Sequence, residues 1–276
     1  MIFEILKAVL FGIIEGITEW LPISSTGHLI LLNEIVKLDV SPEFYEMFQV
    51  VIQLGAILAV IVLFFNRLNP FSPRKSARQK ADTWVLWFKV VVAVLPSVVF
   101  GLLLDDWFND HFYNYITVAI ALIVYGVAFI MIENGRRGDN FAINSVNKLD
   151  YPTAFKISLF QVLAMIPGTS RSGSTILGAM LIGTSRTAAA EFSFFMAIPT
   201  MAGASLLKAV KFIMDGAQMT GEYWVILIVG CLVSFLVSLV VIRGLMNYVR
   251  RHTFSAFGVY RIALGVIVIL FFLIFR

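Results

Sequence analysis

This sequence is short of charge, of cysteine and of any removable leader, and each shortage closes off a class of protein. Only 14% of its 276 residues are charged, against about 25% in ordinary soluble domains. With 59% hydrophobic residues and a mean hydropathy of +0.90, the chain is built for a bilayer. One cysteine, Cys231 in GCLVSFLVSLVVI, excludes an internal disulfide and a cysteine-ligated metal site. It reads as a small residue facing lipid or a neighbouring helix. The start, MIFEILKAVLFGIIEG, lacks a basic n-region and a small-residue cleavage site and carries Glu4 and Glu15. It therefore reads as part of the mature fold rather than a signal peptide. No basic patch with interleaved aromatics supports nucleic-acid binding, and the net charge of +4 belongs to cytoplasmic loops.

What the sequence does contain is long apolar runs. A spanning helix needs roughly 20 mostly apolar residues, and six stretches qualify: 44–65, 84–104, 115–133, 190–211, 224–246 and 254–275. Two further apolar regions, 3–32 and 155–182, are interrupted, the first at LPISSTG and the second at IPGTSRSG. Proline ends a helix and glycine tolerates turn geometry, so each region reads as helix, turn, helix, entering the membrane and returning on the same side. Such irregular backbone survives at membrane depth only inside protein or beside water. The fold class is thus an all-α polytopic membrane protein with six spans and two re-entrant hairpins, forming one domain over 1–276.

Loop charge gives the orientation. Segment 66–83 carries Arg67, Arg74, Lys75, Arg78 and Lys80, segment 134–150 carries Arg136, Arg137 and Lys148, and 243–253 carries Arg243, Arg250 and Arg251. Loops 105–114 and 213–223 hold neither Lys nor Arg. Basic loops inside and acidic loops outside send the first hairpin in from outside and the second from inside, with both termini outside. An internal repeat agrees: PISSTGHLIL (22–31) resembles PGTSRSGSTIL (167–177), and EFYEMFQVVIQLGAIL (43–58) matches EFSFFMAIPTMAGASL (191–206) without a gap. The halves, about 1–133 and 151–276, are separated by an odd number of crossings and should be inverted. Inverted repeats place broken helices at their shared interface.

The polar residues gather at the two breaks. Glu15 and Glu19 lie four apart, on one helix face, between apolar flanks. A carboxylate at membrane depth costs about 2.5–3.5 kcal/mol on the mild insertion scale, so the pair calls for a cation, a proton or a wet cavity. Ser24, Ser25 and Thr26 follow Pro22 where helix caps belong. Capping accounts for one hydroxyl, not three with a histidine. His28 lies three residues after Ser25, so the two share a helix face; His111 and His252, the other histidines, fall in loops. Serine or histidine is suited to attack a phosphorus centre, with the other or a glutamate moving protons. In the second break, Ser170, Ser172 and Thr175 surround Arg171 at a helix start. Free N–H groups, the helix dipole and a permanently charged planar fork suit an anion, although the sequence lacks the Lys-Ser/Thr ending of a nucleotide P-loop. Gln53 and Gln161 read as either site supports or helix contacts. Arg186 and Glu191 read as a helix-start pair, and the aromatic residues as lipid-facing belts.

Together, EGITEWLPISSTGH and PGTSRSGST, in that order with FQVVIQLGAILAV between them, resemble undecaprenyl-pyrophosphate phosphatases of the bacitracin-resistance type. The similarity covers most of the chain, and no motif position departs from it. It implies an integral enzyme of the bacterial plasma membrane that hydrolyses the terminal phosphate of undecaprenyl pyrophosphate, a polyprenyl pyrophosphate lipid. It implies recycling of the cell-wall lipid carrier, bacitracin resistance, a divalent cation such as Mg2+ or Ca2+, and a site toward the outer face. The site residues carried over are Glu15, Glu19, Ser24, Ser25, Thr26, His28, Ser170, Arg171, Ser172 and Thr175. Glu15 and Glu19 are the natural metal partners, because hard cations choose oxygen ligands. Whether Ser25 or His28 attacks, or one activates water, stays open, as does oligomeric state, a homodimer included. The competing reading is a transporter or flippase for a phosphorylated lipid, since broken helices recur in transporters. The type 2 phosphatidic acid phosphatase pattern requires a histidine and an aspartate after S-R, and residues 172–192 contain neither.

Overall fold

A computed structural model of the chain describes residues 1–112, 114–136 and 141–275, apart from the side chains of Asp105, Asp106, Asn109, Asp110 and Phe275. Arg137 of the basic loop and those acidic side chains of 105–110 therefore lie outside the described residues. The helices are α1 (Ile2–Thr18), α2 (Ser25–Ile35), α3 (Pro42–Val51), α4 (Gln53–Leu63), α5 (Phe65–Leu68) and α6 (Ala77–Phe112), then α7 (Tyr115–Gly135), α8 (Tyr151–Val162), α9 (Arg171–Leu181), α10 (Arg186–Met214), α11 (Gly221–Val249) and α12 (Ser255–Phe275). No strand occurs among the described residues, only a parallel bridge between Ile143 and Thr184. Six helical segments are long and apolar enough to cross a membrane: Pro42–Leu63, Ala77–Leu104, Tyr115–Gly135, Arg186–Met214, Gly221–Val249 and Ser255–Ile274. They match the six expected spans.

Local chemistry sets the boundaries. Ser41, Asn114, Asp150, Ser185 and Thr220 each accept a hydrogen bond from a backbone N–H in the first turn of α3, α7, α8, α10 and α11, satisfying a donor the helix cannot pair. Capping also shortens the predicted loops. Helix α10 starts at Arg186, after its Ser185 cap, and α6 starts at Ala77 and runs to Phe112, so most of the presumed loop 105–114 is helical.

Each of the two interrupted regions folds as helix, break, helix, which is consistent with the expected hairpins. Near the start of α1, Lys7 donates to the Lys37 carbonyl and Glu4 accepts from the Asp39 N–H, so the first hairpin ends where it began. The second closes likewise: Ser185 N–H donates to the Ile143 carbonyl, which brings the chain after α9 to the segment before α8. At about 1.5 Å per residue, Glu15 lies roughly 20 Å along α1 from its start.

Packing partners exchange in pairs. Helix α1 packs on α11 and α8 on α6; α11 packs on α4 and α6 on α10; α7 pairs with α12, and α3 and α4 with α10. Small residues permit the closest approaches. A Cβ on Gly12 of α1 would sit 2.7 Å from the Gly230 carbonyl of α11, and one on Gly126 of α7 would sit 2.7 Å from the Gly258 carbonyl of α12. Gln161 turns out to be a helix tie: its Nε2 donates to Ser97 Oγ (2.8 Å) and Thr200 Oγ1 (3.2 Å), each one residue past a proline inside α6 or α10. Cys231 faces a neighbouring helix, its Sγ lying 3.5 Å from the Val51 carbonyl.

Two expectations are corrected. Arg186 and Glu191 do not pair with each other: Arg186 binds Glu133 at 2.6 Å, and Glu191 binds Arg67 at 2.6 Å. Five residues apart, they project about 140° from each other around α10, so each pairs with another helix, Arg186 with α7 and Glu191 with α5. The aromatic residues are not all belts either. Trp20, Phe11, Phe44, Phe48, Phe129, Phe192, Phe194, Phe195 and Phe254 are fully buried, because the spaces between packed helices need large apolar side chains as filling.

Candidate active site

The two breaks share one backbone device. Ser24 and Ser170 are the only non-glycine residues with positive φ among those described, at 72° and 69°. Each is the N-cap of its helix, and each side chain accepts from the N–H of the glycine three residues on, Gly27 or Gly173. A non-glycine residue in this region costs on the order of 1–3 kcal/mol and persists only where the surroundings enforce it. The shared geometry aligns Ser25 with Arg171 and Thr26 with Ser172, as first residues of α2 and α9. Both helix N-termini, with their unpaired N–H groups, face the junction of the breaks.

Side chains at those positions join across the junction. Glu19, just past α1, receives Ser25 Oγ on Oε2 at 2.7 Å. On Oε1 it receives Arg171 Nε at 3.3 Å and Nη2 at 3.1 Å. The remaining arm, Arg171 Nη1, donates to the Ser193 carbonyl of α10 at 2.9 Å. Ser172 Oγ donates to the backbone carbonyls of Glu19 (3.0 Å) and Leu21 (3.3 Å), sewing the second hairpin onto the first. Trp20 forms a wall, its ring 5.9 Å from the Arg171 guanidinium carbon and edge-on to Phe194. An acid, a hydroxyl and an arginine are thereby assembled from residues 152 positions apart in the chain.

Glu15 differs from Glu19. It is fully buried, and neither carboxylate oxygen has a hydrogen-bond partner among the described residues. It lies within electrostatic reach of Glu19 and Arg171. A buried carboxylate with no donor is expensive, and a cation is the natural remedy. Among the described residues no cluster of three or more His, Cys, Asp or Glu side chains is placed to hold a metal. Two carboxylates suffice for a hard cation that completes its shell with water and phosphate oxygens. The residues present fit that kind of site.

His28 stands apart from Ser25 and the glutamates. Its Nδ1 meets the Ser24 carbonyl at 2.7 Å and its Nε2 meets the Tyr260 hydroxyl of α12 at 2.7 Å. Thr26 makes no side-chain hydrogen bond among the described residues, and Ser170 Oγ lies 3.2 Å from Ser172 Oγ. Thr175 faces α10, bonding Ser193 Oγ at 2.6 Å and its own helix at the Arg171 carbonyl (2.9 Å), so it braces the arginine from behind.

Sequence reasoning missed Ser193, Tyr260 and Arg261. Arg261 is fully buried in α12 and donates to the carbonyls of Pro22 (3.0 Å), Gly168 (2.9 Å) and Thr169 (2.9 Å). It also reaches Leu122 and Ala121 on α7 and lies over the Tyr125 ring. One guanidinium thus satisfies carbonyls that both breaks free from helical pairing. The available signal is an arginine inside an apolar span, the argument that singles out Glu15 and Glu19.

The fold and the junction define a polytopic membrane protein whose polar centre is split between two broken helices. The chain belongs to the family of the bacitracin resistance protein BacA, whose model matches residues 8–267. It is 58% identical over 270 residues to a Streptococcus thermophilus protein named undecaprenyl-diphosphatase, covering 98% of this chain and 94% of the relative. Proteins of the same name from Limosilactobacillus fermentum and Enterococcus faecalis are 59% identical over 269 residues (98% of each chain) and 58% identical over 265 (95% of each).

Proposed function

We propose that this enzyme hydrolyses undecaprenyl pyrophosphate to undecaprenyl phosphate and inorganic phosphate, recycling the cell-wall lipid carrier. The observation that carries the reading is the Ser25–Glu19–Arg171 chain across the two hairpins, in a family whose relatives bear the name of that activity. Ser25 Oγ attacks the terminal phosphorus while Glu19 takes its proton, an activated nucleophile with its base within hydrogen-bond reach. The bond from that phosphorus to the bridging oxygen breaks, and undecaprenyl phosphate leaves. Water then hydrolyses the phosphoserine and releases inorganic phosphate. Arg171 and the first N–H groups of α2 and α9 bind the phosphate oxygens and stabilise the charge of the transferring group. Ser24, Thr26, Ser170 and Ser172 line this cradle and Thr175 supports it. With Ser25 tied to Glu19, His28 takes the second proton-handling role at Nε2.

A divalent cation, Mg2+ or Ca2+, held by Glu15 and Glu19, would supply charge neutralisation for the diphosphate. The orphaned Glu15 carboxylate supports that assignment. We place the protein in the bacterial plasma membrane with the first hairpin entering from outside. The chain termini of that hairpin meet the acidic side of the molecule, where the Met1 amine pairs with Glu222. Bacitracin resistance would follow from depletion of the pyrophosphate lipid. The paired exchange of helix partners supports two inverted repeats, about 1–133 and 151–276, and with them a second reading as a lipid transporter or flippase.

The test is phosphate release by purified protein in detergent, with undecaprenyl pyrophosphate, with and without chelator. Release that stops with chelator supports the proposal. No release in detergent, with lipid movement retained in vesicles, moves the assignment to transport.

A further inference from the structure

We infer that Tyr260 is a positioning residue for His28, holding the imidazole in one place through both of its protonation states; this rests on the proposed phosphatase reading. The Ser24 carbonyl only accepts hydrogen bonds, so the 2.7 Å contact puts a proton on His28 Nδ1. In the neutral ring the reactive lone pair is then on Nε2, and Tyr260 O–H donates to it at 2.7 Å. When Nε2 takes up a proton it becomes a donor, and the same hydroxyl oxygen accepts by rotating its own hydrogen away. Few side chains serve both states without moving; a carboxylate or an ammonium serves only one.

The ring planes suit the bond. Tyr260 and His28 lie 3° from parallel with centroids 5.7 Å apart, and with the hydroxyl 2.7 Å from Nε2 the rings meet edge to edge rather than face to face, so the hydroxyl points at the imidazole edge. The neighbouring residue, Arg261, anchors this point of α12 to both breaks through Pro22, Gly168 and Thr169. Tyr260 is therefore set at a fixed distance from the Ser24–Ser25 turn even though it comes from the last helix. It is 45% exposed, so losing its hydroxyl leaves no buried polar gap.

The experiment combines kinetics on Tyr260→Phe with 15N NMR of histidine-labelled protein. The chain has three histidines, so three ring spin systems appear, and His28→Ala assigns the relevant one. Tyr260→Phe keeps the ring and removes the hydroxyl. Expected are a kcat lower by about 10- to 100-fold, a KM within about twofold, and a shifted Nε2 resonance of His28 with Nδ1 and the other two rings unchanged. The inference is overturned by a kcat within about twofold of wild type, by a loss confined to KM, or by an unshifted Nε2. Shifts at all three histidines alongside the kcat loss also overturn it, since they show a structural role. Wild-type protein that releases no phosphate overturns the proposed function first, and the positioning role with it.

Discussion

The two hairpins use the same turn to opposite electrostatic ends. Each breaks at a proline, caps its second helix with a positive-φ serine and closes that cap on a glycine N–H. The first then places Glu15, Glu19 and Ser25 beside the break, all acid and hydroxyl. The second places Arg171 there and no carboxylate. Duplicated backbone with divided side chains yields a centre that neither hairpin can make alone. A lone carboxylate or a lone guanidinium buried like this is costly, while the pair, with hydroxyls on its remaining atoms, is tolerated.

If that division of labour is real, removing the charge on either side should have the largest effect. Glu19→Gln and Arg171→Ala should each lower phosphate release by at least about 10²–10³-fold, and the double variant should lose much less than the product. Arg171→Lys should not restore activity, because Lys lacks the planar fork that spans Glu19 and Ser193. Full additivity in steady-state assays would mean that the hairpins act separately. Ser25→Ala should come next, losing both turnover and any trapped phosphoenzyme. A phosphate mapped by mass spectrometry to His28 would move the nucleophile out of the Glu19 chain.

A smaller effect separates the two glutamates. Glu15→Gln should weaken the dependence on divalent cation, measured as a rise in the metal concentration giving half-maximal rate, by about 10- to 100-fold. An unchanged metal titration would show that the orphaned carboxylate has another partner. The smallest effect tests the shared turn. Ser24→Gly and Ser170→Gly lose a cap but accept the backbone, whereas the alanine variants lose the cap and keep the unfavourable φ. Each alanine variant should therefore be less stable than its glycine counterpart by about 1 kcal/mol in thermal unfolding. Equal stabilities would remove the strained-cap account of both breaks.

Much of this is legible in the amino-acid sequence. Apolar length located all six spans, and the two prolines marked where the remaining apolar regions break, because the bilayer requires continuous apolar helices and punishes any interruption. The motif residues were legible because ionisable groups in apolar runs need a reason to be there. Helix ends were less so: the acidic stretch after Leu104 reads as loop, yet α6 carries on to Phe112. Partner choice was illegible. Arg186 and Glu191 look paired by spacing, and packing gave each another partner.

The sequence by itself determined that this protein lives in a membrane, where its backbone breaks, and which charged and hydroxyl side chains gather at each break. Those are local properties, set by hydropathy, proline and the cost of burying a charge. Only the tertiary structure decided that Glu19 meets Ser25 and Arg171, that Glu15 is left without a donor, and that His28 turns to Tyr260 while Arg261 ties the breaks together. Those contacts join residues up to 239 positions apart. No periodicity records which helix faces meet once every apolar surface is as welcome to lipid as to protein.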